Sequence, residues 1–123
     1  MTNQRKTIAA GAMLAVLLVP TATTADQARI RLRVWPAYAM APADVRIDAV
    51  VEPREENRAL RITVDNGEFF RSSTIALEGD KAPKYYSVQY RSLPEGDFAV
   101  QLALIDEQGH QRALEHQEFH IVR

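Results

Sequence analysis

Residues 29–122 predict an all-β protein: seven short antiparallel strands in two sheets packed face to face. Three observations carry this. Apolar and polar residues alternate along nearly every stretch beyond residue 28. Successive side chains of a strand point to opposite faces, so each such stretch reads as a ribbon with one apolar side. No stretch there sustains the i, i+3, i+4, i+7 apolar spacing of an amphipathic helix, and clusters of Gly, Pro, Asn and Asp punctuate the stretches.

The first strand, 29–35, sets Ile30, Leu32 and Val34 against Arg29, Arg31 and Arg33. Pro36 to Pro42 reads as an extended lead-in to the second strand, 44–52, where Val45, Ile47, Ala49 and Val51 alternate with Arg46 and Asp48. A charged loop from Pro53 to Asn57 precedes the third, 58–65, carried by Leu60, Ile62 and Val64. Asp65-Asn66-Gly67 is a tight-turn signal, because Asn and Gly tolerate the positive φ that hairpin turns require. The fourth strand is 69–77, and Glu78-Gly79-Asp80 with Pro83 separates it from the fifth, 84–91, with Tyr86, Val88 and Tyr90 in phase. Pro94-Glu95-Gly96 turns the chain into the sixth, 97–105, along Phe98, Val100, Leu102 and Leu104. Asp106 to Gly109 then joins it to the seventh, 111–122, as a hairpin. Strands with one apolar face each bury it by pairing two sheets.

The N-terminal 25 residues have a different character. Arg5 and Lys6 give a positive start, Ile8 to Val19 is a 12-residue apolar run, and Pro20 breaks it before the small residues Thr23-Thr24-Ala25. That layout predicts a cleavable signal peptide, 1–25, ahead of one domain, 26–123. The run is too short for a membrane span, which needs about 20 residues. The chain contains no cysteine, which excludes both a lipidated cysteine and a disulfide, so stability must come from the apolar core. Cleavage removes two basic residues and no acidic one, moving the formal net charge from −1 to −3. A balance of that sign disfavours nucleic acid and anionic lipid, which require a concentrated basic face. The expectation is a periplasmic or secreted domain with no membrane insertion after cleavage.

One segment carries a resemblance. Leu93-Pro94-Glu95-Gly96-Asp97-Phe98-Ala99-Val100-Gln101-Leu102, followed by a turn and a last strand, resembles the entry to the penultimate strand of fibronectin type III and related bacterial immunoglobulin-like domains. The resemblance implies an immunoglobulin-like sandwich and no particular activity, since that fold hosts many functions. The sequence departs from the motif where those families place a tyrosine: Phe98 has no hydroxyl, so the tyrosine-corner hydrogen bond is absent.

Few residues suggest chemistry. His110, His116 and His120 all lie in the last 14 residues. Alternation puts His116, Glu118 and His120 on the face opposite Phe119 and Ile121, a candidate zinc or copper set. Neighbours on one strand face lie about 7 Å apart and the two histidines about 13 Å, so one ion could take a histidine with Glu118 but not all three ligands without a bend. The competing reading is a solvated or edge-strand face. Of the aromatics, adjacent pairs cannot share a face, so Phe69 or Phe70, Tyr85 and the out-of-phase Trp35 are expected outside the core, and Trp35, Phe70 and Tyr85 are the candidate surface. Together they would form a platform for a sugar ring or a partner protein; apart, they seal the sandwich ends. The stripe Arg29, Arg31, Arg33 reads as a polar strand face paired with acids such as Asp48, or as an attractor of anions.

Catalytic signatures are missing. No Gly-x-Ser-x-Gly elbow occurs and no cysteine nucleophile exists, while Glu52, Glu55 and Glu56 sit in a charged loop where solvation is the expected state. No cofactor is implied. The sequence therefore points to a non-enzymatic, exported binding module contacting an extracytoplasmic protein through a sheet face or edge strand. The alternative is a small-ligand module, holding metal at His116 and Glu118 or glycan on the exposed aromatics.

Overall fold

The computed structural model describes residues 29–123; the leader lies outside the described residues. The chain forms strands β1 (Ile30–Trp35), β2 (Tyr38–Met40), β3 (Ala43–Val51), β4 (Asn57–Asp65), β5 (Phe70–Ala76), β6 (Tyr85–Leu93), β7 (Gly96–Asp106) and β8 (Gln111–Val122), with a 3₁₀ turn at Gly79–Lys81. They make a three-stranded sheet, β1-β3-β6, and a five-stranded sheet, β2-β8-β7-β4-β5. The immunoglobulin-like sandwich is thus present, with one strand more than the seven expected.

The added strand lies in the lead-in between Pro36 and Pro42. The chain leaves the three-stranded sheet at Trp35 and joins the other at Tyr38, where β2 pairs with β8 in parallel: Tyr38 opposite His120, Ala39 opposite Ile121, Met40 opposite Val122. The wholly antiparallel expectation is corrected at this one pair. Three residues are too few to show a period, and the partner that makes them a strand is some 80 positions away in the chain.

The core follows the alternation. Val45, Ile47, Ala49 and Val51 of β3, Leu60, Ile62 and Val64 of β4, and Phe98, Val100, Leu102 and Leu104 of β7 are each at most 2% exposed. Each fully buried Val, Leu, Ile or Phe contributes roughly 1.5–3 kcal/mol against leaving it in water. Phe98 is a core ring stacked on Phe119 and touched edge-on by Phe69. In β8 only the last part repeats the pattern: Phe119 and Ile121 are buried, whereas Glu115 to Glu118 are exposed.

Side chains close the turns as their residue types dictate. Gly67 takes φ +96° and gives its N–H to Asp65 Oδ1 at 2.7 Å, while Asn66 Oδ1 accepts the N–H groups of Glu68 and Phe69. At the β7–β8 turn, Asp106 Oδ1 accepts the N–H groups of Gln108 and His110, each at 2.9 Å. Strand β6 outruns its expected end at residue 91, because the β3–β6 register slips between Ala43 and Val45. Asp44 Oδ1 takes the N–H of Ser92, φ +54°, at 2.9 Å. That bulge carries the strand to Leu93, which is buried.

Candidate interaction surface

Arginine and aromatic side chains meet on the outer face of the three-stranded sheet. The even positions of β1 face the core, which leaves Arg31, Arg33 and Trp35 outside, with Arg29 in phase just before the strand. The register places Arg31 beside Val50 and Tyr85, Arg33 beside Asp48 and Ser87, and Trp35 beside Arg46 and Gln89. Each row thus runs across all three strands. Tyr85 is 74% exposed and Trp35 60%, as their phase predicts. Beside Tyr85 an open concavity of about 680 Å³ is lined by Arg31, Arg33, Asp48, Val50 and Ser87 as well.

The expected pairing of the arginine stripe with Asp48 does not form. Asp48 Oδ2 is taken by Arg46 Nε at 3.2 Å, and its Oδ1 accepts the Ser87 hydroxyl at 2.8 Å. No ion pair with Arg31 or Arg33 occurs among the described residues, although Arg33 stands directly across from Asp48. Like charges two apart on one strand face repel by about 0.6 kcal/mol in water at 7 Å, so the stripe is left electrostatically uncompensated by its own sheet.

Of the three aromatics that sequence groups as a platform, Trp35 and Tyr85 share this face at diagonal corners, roughly 16 Å apart by strand spacing and rise. Phe70, 65% exposed, lies on β5 of the other sheet and joins neither.

His116, Glu118 and His120 do share the outer face of the five-stranded sheet, opposite Gln101, Ala99 and Asp97 of β7. His120 Nδ1 lies 2.8 Å from Asp97 Oδ1, and its ring stacks on Tyr38 with centroids 5.0 Å apart. Among the described residues no three His, Asp or Glu side chains gather as a metal-ligand group. The Tyr38–His120 contact escapes sequence reading because it depends on the parallel β2–β8 pairing. Tyr38, Met40 and Val122 add a second exposed apolar corner there.

Among the described residues two titrating groups are shifted, neither of them in the arginine stripe. Burial pushes the Tyr86 hydroxyl above the ordinary phenol range. The Asp106 carboxyl is held below its ordinary value, first by the His110 N–H.

Fold and face define the chain as a small two-sheet β-sandwich displaying cations and aromatics on one sheet. No protein-family model matches it, and no curated protein does so. Solved structures do. A superoxide reductase (neelaredoxin) from Ignicoccus hospitalis aligns with TM-score 0.56 at 12% identity, over 76% of this chain and 81% of that one. The soluble domain of PmoD from a Methylocystis species aligns with TM-score 0.52 at 13% identity, over 75% and 90%. At such identities the likeness is one of fold alone. No helix among the described residues is long and apolar enough to cross a membrane.

Proposed function

We propose that this chain is an exported, non-catalytic interaction module that holds an extracytoplasmic partner protein on the outer face of its three-stranded sheet. The observation that carries the reading is the grouping of Tyr85, Arg31 and Arg33 around one open concavity, with Trp35 exposed on the same sheet face. Trp, Tyr and Arg dominate the binding energy of protein interfaces, because each offers large contact area with a polar or charged handle. Three strands about 20 Å long present roughly 300 Å², which suits a transient contact rather than a permanent one. The signal-peptide layout of residues 1–25 supports export, and the absence of cysteine and of a nucleophile elbow supports binding over catalysis.

The test is cross-linking in the extracytoplasmic fraction followed by capture and mass spectrometry. The same partner should be recovered reproducibly with the wild-type chain and fall about tenfold with Trp35→Ala and Tyr85→Ala combined. Recovery of no reproducible partner, or equal recovery by the variant, would reject the reading. An intact N-terminus ahead of Asp26 would reject the proposed processing.

A further inference from the structure

Resting on that reading, we propose that the partner's contacting segment is an extended acidic stretch of polypeptide in which two or more carboxylates alternate with other residues and an apolar side chain follows. The stripe Arg31, Arg33, Trp35 repeats every second residue along β1. An extended chain repeats at the same interval of about 7 Å, so carboxylates at positions one and three meet the two guanidinium groups and an apolar side chain at position five meets Trp35. Arg29, exposed and in phase, lengthens the match toward the N-terminus, where Lys84 and Glu52 border the same side.

Charge decides the class of partner. Arg31 and Arg33 form no ion pair among the described residues, and Asp48, the carboxylate directly across from Arg33, is committed to Arg46 and Ser87. Arginine prefers such planar, forked recognition of carboxylates. The facing groups from β3 and β6 are Arg46, Asp48, Ser87 and Tyr85, and Glu52, Lys84, Arg112 and Glu115 border Arg31 from either side, so cations still outnumber carboxylates locally in a chain whose whole formal charge is −1. A membrane or a nucleic acid would need a wider basic field than one strand provides. A short acidic segment needs only this stripe.

The experiment is fluorescence anisotropy on the purified domain. One dye-labelled peptide alternates glutamate with threonine and ends in leucine; a second has the same composition with its glutamates contiguous. The alternating peptide should bind, and its affinity should fall as salt rises. Binding should drop about tenfold or more in the Arg31→Glu, Arg33→Glu double variant. Arg61→Glu, on the outer face of the other sheet, should leave it unchanged. The contiguous peptide should bind several-fold more weakly. Failure of the wild-type domain to bind the alternating peptide overturns the proposal, as does equal binding by the double variant. Stronger binding to phosphatidylglycerol vesicles than to either peptide overturns it as well. If partner capture still depends on Trp35 and Tyr85 while the peptide fails, the interaction surface stands and the acidic partner falls; if capture fails too, the surface itself is rejected.

Discussion

Phe98 and Phe119 lie face to face between the sheets, ring centroids 4.7 Å apart and planes 1° from parallel, both 1% exposed. They are directly opposed on β7 and β8, so their stack ties the C-terminal hairpin to the core. Because β8 buries little before Phe119, that hairpin depends on this contact. Phe119→Ala should cost about 3–5 kcal/mol, and Phe119→Leu distinctly less, read as the shift in the urea midpoint at unchanged slope. A loss below 1 kcal/mol for the alanine variant would mean that the stack is not a principal tie.

Gly96 marks where a side chain cannot be added. A Cβ there would lie 2.9 Å from Asn66 Nδ2 and 3.3 Å from Phe98 Cε2. Asn66 cannot swing aside freely, since its Oδ1 holds two N–H groups of the β4–β5 turn, and the Phe98 ring is pinned by Phe119. Gly96→Ala should therefore destabilise by about 1–3 kcal/mol. Gly67→Ala meets no neighbour within 4 Å and pays only for its positive φ, about 1 kcal/mol. Thermal melts of the two variants should rank in that order.

Asp106 makes stability fall in acid. Its carboxyl sits below the ordinary value through the His110 N–H, opposed by burial, with help from the Gln108 N–H and the charges of His110 and Arg112. A carboxyl depressed on folding stabilises above its unfolded pKa, about 3.9, and the gain is lost as pH drops through the lower folded value. Melting temperature should thus decline more steeply below about pH 4 in the wild type than in Asp106→Asn. The variant should be the less stable of the two at pH 7 and approach the wild type in acid. Parallel pH profiles would contradict the assignment.

Tyr86 faces inward from β6 with a buried hydroxyl that meets no hydrogen-bond partner in the structure. Removing a buried polar group without a partner relieves its desolvation cost. Tyr86→Phe should therefore be neutral or stabilising by up to about 1 kcal/mol. A loss larger than that in chemical denaturation would show that the hydroxyl is bonded in solution.

The exposed anchors should behave differently from the core. Trp35→Ala and Tyr85→Ala should each change stability by less than about 0.5 kcal/mol, since the two side chains are 60% and 74% exposed. Unfolding midpoints close to wild type would separate their role in contact from any role in folding.

Alternation alone was enough to place Val45, Ile47, Leu60, Ile62, Val100 and Leu102 inside, Trp35 and Tyr85 outside, and one of Phe69 and Phe70 outside with them. Side-chain direction in a strand is set by local backbone geometry, so a period of two carries that information residue by residue. The turn at Asn66-Gly67 was equally open to reading, because its backbone demand falls on those residues alone. Strand β2 was not. Its three residues become a strand only through the parallel edge of β8, and the Tyr38–His120 stack exists only because of it.

The candidate surface divides the same way. That Arg31, Arg33 and Trp35 share one strand face follows from their spacing. That Tyr85 completes their face while Phe70 leaves it, and that Asp48 is claimed by Arg46 and Ser87 instead of neutralising Arg33, follows only from which strands lie side by side. Strand order and register are properties of long-range pairing, governed by how two apolar faces pack against each other. Local pattern specifies which side of a strand meets water; packing between distant strands specifies what stands next to it there.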